Sequence, residues 1–401
     1  MYNYFMKIIK RQLYLPQFKK VDSAPDIKVI TGVRRAGKSI LLETFKNEII
    51  KRDEVNIIHI DFNLRKNDSL SGSNKLHDYV ESCYKQDQDN YLLIDEIQDC
   101  KGFEKSLNYL HATLKYHIYV TGSNAFLTTS DLSTLFVGRT YPIAIYPFSY
   151  KEFCEYYKER KTNDLYEDYI LEGGMSGSYL YDDLKSKYEY IKNTIDSLII
   201  RDIVTKHRIQ YPALLDSIID FLIDNSGKIT SLRNIANVLK NDNKEVDHKT
   251  VGSYVKYLCN AFLFYQVRRY DIVGKKYLST NAKYYVVDHA MRFARLGTRN
   301  VDHGRILENI VAIELLRRGY EIYVGVFGNY EIDFIANKFD EHLYIQVCEN
   351  ISQEDVFLRE VKPLLNVKNA YKKILITNNY KSYNTYEGVE IIDIRDWLLK
   401  E

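Results

Sequence analysis

From residue 27 to residue 149, short apolar runs alternate with stretches of helical periodicity. The run IKVIT at 27–31 suits a strand buried on both faces. It leads through a glycine-containing loop into a predicted helix over 38–51, where Leu41, Phe45 and Ile49 recur every fourth residue and make one apolar face. Further strands are predicted at 55–62, 91–94, 117–120 and 141–145, with a helix over 101–114. Such alternation specifies a parallel sheet covered by helices.

After Pro147 the pattern becomes almost entirely helical, through about residue 222. Three helical segments, 214–225, 231–239 and 248–262, precede a hairpin candidate with strands at 264–271 and 276–279, turning at Val273-Gly274-Lys275. Three helices followed by a β-wing is the order of a winged helix. A new α/β pattern starts near Gly304: a helix over 305–318, strands at 320–326, 330–336 and 343–348, a further helix, and a strand at 373–377. The expected organisation is an α/β segment 1–150, a helical lid or linker 151–212, a winged-helix segment 213–290 and a second α/β segment 300–401.

Chemistry concentrates in the first segment. Residues 32–39 read Gly32-Val33-Arg34-Arg35-Ala36-Gly37-Lys38-Ser39, which fits G-x-x-x-x-G-K-[ST] between a predicted strand and a predicted helix. Glycines let the backbone wrap a phosphate with successive N–H groups facing its oxygens, and the helix start adds its dipole. Lys38 would neutralise β/γ oxygens and the Ser39 hydroxyl would ligate Mg²⁺. The expected nucleotide-binding set is Gly32, Arg34, Arg35, Ala36, Gly37, Lys38, Ser39 and Ile40. The strand Tyr91-Leu92-Leu93-Ile94 runs into Asp95-Glu96, placing one acid to hold Mg²⁺ and a second to polarise an attacking water. The next strand ends in Val120-Thr121-Gly122-Ser123-Asn124, small polar groups that read either as site residues or as ordinary turn chemistry. Arg139 is either a surface arginine, a strand-end salt-bridge partner, or a group that reaches the γ-phosphate of a neighbouring subunit.

Composition narrows the field without naming a function. The chain has 401 residues, 45% hydrophobic and 27% charged, which is ordinary for a globular protein and excludes a disordered or fibrous one. With 56 basic and 54 acidic side chains the net charge is +2, so a globally polybasic nucleic-acid binder is not expected. Five widely spaced cysteines with no C-x-x-C argue against a disulfide scaffold or structural zinc, and point to a reducing cytoplasm. The charged first sixteen residues lack a signal-peptide core, and no apolar run is long enough to span a bilayer.

The phosphate loop, the string LLIDEIQ at 92–98, TGSN at 121–124, LFVGRTY at 135–141 and YPFSYKEF at 146–153 together resemble the bacterial and archaeal AAA-type ATPases of the archaeal-ATPase clade. The resemblance extends through Glu172-Gly173-Gly174, Arg201-Asp202-Ile203, Lys283-Tyr284-Tyr285-x-x-Asp288, Gly304 to Glu308-Asn309, and Glu331-Ile332-Asp333. It implies an α/β P-loop NTPase (AAA+) parallel sheet, a winged-helix middle and a C-terminal restriction-endonuclease-like α/β domain. It also implies ATP and Mg²⁺ as cofactors, Lys38 and Ser39 as Walker A, Asp95 and Glu96 as Walker B, Asn124 as a sensor and Arg139 as a candidate arginine finger. One departure is Gly173-Gly174-Met175-Ser176-Gly177, where such proteins usually read Gly-Gly-Tyr-Pro.

Two weaker patterns remain. A nuclease core needs two carboxylates for Mg²⁺ and a lysine to activate water. Glu308 and Asp333 would serve as ligands, but the strand that should carry acid-x-Lys reads Gln346-Val347-Cys348, so a degenerate scaffold is expected. The winged-helix segment carries Lys249, Lys256, Arg268, Arg269, Lys275 and Lys276, which suit either DNA phosphates or a solvated face contacting protein. The resulting expectation is an ATPase that switches or remodels a protein or nucleic-acid partner, as a homo-oligomer if Arg139 acts in trans. The alternatives are an ATP-gated nuclease and a nucleotide-bound scaffold without turnover.

Overall fold

The computed structural model describes residues 7–122, 136, 138–162, 164–240, 247–378 and 385–400. Asn124 therefore lies outside the described residues. The chain divides into two compact units, one of Met1–Pro147 with Ser197–His207 and Asn260–Phe262, the other holding the rest.

In the first unit, β1 (Ile27–Thr31), β2 (Val55–Asp61), β3 (Asp89–Asp95), β4 (Tyr116–Thr121) and β5 (Thr140–Ala144) form one parallel sheet in the order β2-β3-β4-β1-β5. All five residues of β1 are buried, as a central strand of a two-sided sheet requires. On one face Val29, Ile60, Ile94 and Val120 pack with Leu76, Leu107 and Leu110 from the helices Ser73–Ser82 and Phe103–Ala112. On the other, Phe45 of the helix Lys38–Ile49 meets Phe18 and Tyr119 with ring centroids 4.9 and 4.8 Å apart. Phe18 belongs to a helix, Leu15–Val21, that opens with Pro16 in its first turn; seven residues are too few for a periodic signal in the sequence. The strand order matters chemically because β4 separates β1 from β3. Because β1, β4 and β3 all run parallel, the phosphate loop after β1 and the acids at the end of β3 come to the same, C-terminal, edge of the sheet.

The second unit joins helices to an eight-stranded mixed sheet. Its strands are β6 (Phe264–Asp271), β7 (Lys276–Val286), β8 (Glu321–Phe327), β9 (Tyr330–Lys338), β10 (Glu341–Cys348), β11 (Lys372–Thr377), β12 (Thr385–Tyr386) and β13 (Val389–Asp393). Their spatial order is β12-β13-β11-β10-β9-β8-β6-β7. Helices Pro212–Asp224, Leu232–Lys240 and His248–Asn260 precede the hairpin in the expected sequence order. The hairpin is not a free wing, however. Arg269 to Asp271 of β6 pair in parallel with Val324 to Val326 of β8, so segments read as separate in the sequence share one sheet. β7 also runs seven residues past the predicted end at Ser279, because a bulge interrupts its alternation: Arg269 pairs Leu278 while Arg268 pairs Ala282, and Asn281 turns left-handed at φ 62°.

The Glu172-Gly173-Gly174 turn is packed against the Asp288 carboxylate, which accepts the Gly174 N–H at 2.7 Å. A Cβ on Gly173 would stand 2.1 Å from that carboxylate, and φ there is +67°, so only glycine fits. Burial pushes the Asp288 carboxyl up, while its backbone N–H donors and His289 oppose this. The residues that depart from the resembling family, Met175 and Ser176, follow this turn directly, Met175 buried and Ser176 opening the 3-10 turn Ser176–Leu180.

Candidate nucleotide-binding site

The loop after β1 has the backbone of an anion cradle. Gly32 adopts φ +141°, and a Cβ there would lie 2.0 Å from the Ile145 carbonyl oxygen. Arg35 and Gly37 are left-handed at φ 63° and 92°, turning the intervening amides before the helix begins at Lys38. The buried Arg11 braces the loop, donating to the Ala36 carbonyl at 3.0 Å and to the Tyr146 carbonyl at 2.9 Å. The Lys38 ammonium donates to the Gly32 and Val33 carbonyls at 2.8 and 3.1 Å, stretched across the loop where a phosphate would sit. Burial pulls Lys38 below its usual range, and the nearby Glu96, Asp95 and Asp202 carboxylates oppose that pull. Arg34 is half-buried and adds like charge near Lys38, Arg35 is exposed, and Ile40 continues the first helical turn.

Across from the loop, Asp95 ends β3 almost fully buried. Burial pushes its carboxyl up, and hydrogen bonds from the Ser39 and Thr121 hydroxyls hold the shift in check. Thr121 Oγ1 donates to Asp95 Oδ1 and accepts the Glu96 N–H at 3.1 Å, so one side chain from β4 organises both acids. A buried carboxylate beside a serine hydroxyl is a hard-oxygen donor pair suited to Mg²⁺. The glycine cradle and the Lys38 ammonium likewise fit a polyphosphate. Glu96 itself is left-handed at φ 53°, and its Oε2 accepts a hydrogen bond from the Gln98 amide.

The structure brings Gly32, Ala36, Gly37, Lys38, Ser39, Asp95 and Glu96 to one edge of the sheet. Arg139 is elsewhere. It is exposed at the start of β5, its carbonyl bonded to the Ile27 N–H at 2.9 Å and its guanidinium to Asn108 at 3.4 Å. Since β1 and β5 run parallel from Ile27–Thr140 to Thr31–Ala144, Arg139 is a strand length, about 16 Å, from the phosphate loop of its own chain. Four residues near the site carried no role in the sequence reading: Arg11, Gln98, Thr121 and Asp202. Asp202 is buried on the π-helical segment Ile199–Thr205, within the same compact unit as the loop. Its neighbours Arg201 and Ile203 gave it a motif but no chemistry. The short polar run at the end of β4 was the one signal that touched Thr121.

A second cluster of charge lies in the mixed sheet. Lys283 of β7 is buried and directs its ammonium to Glu308 at 2.8 Å, Glu331 at 3.0 Å and Asp333 at 3.0 Å, one carboxylate for each N–H. Tyr285 also donates to Glu308, at 2.6 Å. Burial and the Asp333 charge push Glu308 up to about 7 against the pull of Lys283. Gln346, where a nuclease would carry an acid, accepts the Asp333 N–H at 3.3 Å and donates to Glu360 at 3.1 Å. Among the described residues no group of three or more His, Cys, Asp or Glu side chains is placed to hold a metal ion. The basic residues Lys249, Lys256, Arg268, Lys275 and Lys276 are exposed, while Tyr254 and Leu258 are core.

Sheet order, phosphate loop and paired acids define a P-loop protein of the AAA class, and residues 24–154 match the family model described as an AAA domain, AAA_14. Residues 163–302 match a model described as a domain of unknown function, DUF8612. An uncharacterized protein of Haemophilus influenzae is 37% identical over 400 residues, spanning 98% of this chain and 99% of its own, and the chain belongs to the same family. An uncharacterized protein of Methanocaldococcus jannaschii is 29% identical, spanning 98% of this chain and 90% of its own. Among solved structures, a Walker-type ATPase of Pyrococcus abyssi is similar at a TM-score of 0.48 and 14% identity, covering 72% of this chain and 96% of that one. AMPPCP-bound DnaA from Aquifex aeolicus is similar at a TM-score of 0.31 and 18% identity, covering 64% and 89%. No helix among the described residues is long and apolar enough to cross a membrane.

Proposed function

We propose that this protein binds and hydrolyses Mg²⁺-ATP and uses the cycle to switch or remodel a protein or nucleic-acid partner. The observation that carries the proposal is the meeting of Lys38 and Ser39 with Asp95, Thr121 and Glu96 at one edge of the parallel sheet. Backbone amides of residues 32–37 bind the phosphates, and Lys38 exchanges its loop carbonyls for β/γ oxygens. Ser39 and Asp95 would hold Mg²⁺, which when bound would supply charge neutralisation for the phosphates. Glu96 orients and polarises the attacking water. Arg139, a strand length from its own phosphate loop, would serve the site of a neighbouring copy.

Lys38 contributes to ground state and transition state alike, whereas Glu96 contributes chiefly to the barrier. Lys38→Ala should therefore weaken nucleotide binding. Glu96→Gln should keep binding and lose turnover by several hundredfold, which corresponds to about 3–4 kcal/mol of barrier. Nucleotide affinity and single-turnover hydrolysis measured on both variants test this; near-normal hydrolysis by Glu96→Gln would sink the assignment.

The ATP-gated nuclease is the weaker reading. Its two carboxylates, Glu308 and Asp333, are already engaged in ion pairs with the Lys283 ammonium, and Gln346 and Cys348 supply neither the missing acid nor the lysine. DNA remains a candidate partner through the exposed basic side chains of the hairpin and the helix His248–Asn260.

A further inference from the structure

We infer that Gln98 is a positioning residue for Glu96, holding one carboxylate oxygen so that the other stays aimed at the attacking water. The inference rests on the role proposed for Glu96 above. The short 3-10 turn Ile97–Asp99 begins directly after Glu96 and folds the Gln98 side chain back, so that its Nε2 donates to Glu96 Oε2. The backbone of Glu96 is fixed on both sides: its N–H is held by Thr121 Oγ1 at 3.1 Å, and its carbonyl accepts the Asp99 N–H at 3.1 Å. It sits left-handed at φ 53°, ψ 52°, a conformation that a side chain with Cβ adopts only where its surroundings impose it.

With the backbone so fixed, the remaining freedom of Glu96 lies in its side-chain torsions, and two partners compete for the carboxylate. One is the Gln98 amide. The other is the Lys38 ammonium, whose charge the nearby Glu96 and Asp95 carboxylates favour. A carboxylate swung onto that ammonium would remove both groups from the reaction, the lysine from phosphate and the glutamate from water. A neutral amide donor leaves the carboxylate its charge and its second oxygen, Oε1, while denying it that swing. A cation at position 98 would hold Glu96 too, but at the cost of the basicity that a water-polarising group needs.

The test uses the full chain and ATP. Gln98→Ala and the nearly isosteric Gln98→Met should lower kcat about tenfold or more, with KM and nucleotide affinity changed less than twofold. Gln98→Glu, which sets a second carboxylate against the first, should lower it at least as far. In a Glu96→Gln background the added Gln98→Ala should cost less than a further twofold, since there is no carboxylate left to position. A merely structural Gln98 would give equal losses in both backgrounds, together with a lowered Tm, and that result overturns the inference. So does full turnover by Gln98→Ala and Gln98→Met. The parent reading fails separately: if Glu96→Gln alone hydrolyses ATP normally, Glu96 is not the polarising group, whereas if it is inactive and Gln98→Ala is fully active, only the role of Gln98 is lost.

Discussion

At the scale of single residues, the Thr121 hydroxyl is the joint between Asp95, to which it donates, and the Glu96 N–H, from which it accepts. Thr121→Val keeps the shape and removes both bonds, leaving a buried carboxylate and an amide with one partner fewer. The expected cost is about 1–3 kcal/mol of stability, with a loss of single-turnover rate that Thr121→Ser largely restores. Thermal unfolding and hydrolysis measured on the two variants check it. The phosphate loop was legible in the sequence because its chemistry is contiguous: glycines, Lys38 and Ser39 are adjacent and flanked by a strand and a helix. Thr121 was ambiguous because small polar residues end strands for many reasons. Arg11 and Asp202 were illegible as site residues because they reach the loop from distant parts of the chain.

At the scale of elements, Lys283 ties the long strand β7 to the helix His303–Arg317 and to β9 through Glu308, Glu331 and Asp333. Removing the cation while leaving three carboxylates should be strongly destabilising, by about 3–5 kcal/mol for Lys283→Met. The deficit should depend on pH. Glu308 already titrates at about 7 in the folded chain, above its ordinary 4.5, so the folded state binds more protons in that window and stability falls as pH rises through it. Without Lys283 the carboxyl moves further up, and Lys283→Met should lose less stability at pH 5.5 than at pH 8. Urea unfolding at the two pH values decides it, and an equal deficit would refute the linkage. The sequence pattern located β6 and the helices around the hairpin, since each is strongly periodic. It stopped short on β7 because the bulge at Asn281 breaks the two-residue alternation on which strand reading depends. No periodicity tells that β6 pairs with β8, because that pairing is long-range.

At the scale of the molecule, an exposed Arg139 a strand length from its own phosphate loop can contribute to hydrolysis only between copies. If Arg139 completes a neighbour's site, specific activity should rise with protein concentration, and Arg139→Ala should lose turnover while keeping nucleotide affinity; hydrolysis by a strictly monomeric preparation at full rate, independent of dilution, would exclude a finger in trans. The mixed sheet should not cut plasmid or oligonucleotide with Mg²⁺ or Mn²⁺, and cleavage lost in Asp333→Ala would overturn that expectation. Arg11 adds a mechanical consequence. Its rigid, planar guanidinium grips the carbonyl of Ala36 with one nitrogen and those of Tyr146 and Pro147 with another, and Pro147 is where the polypeptide leaves the first compact unit. The phosphate loop and that exit point are therefore yoked: a displacement of the Ala36 carbonyl must either drag the exit residues along or break a buried bond.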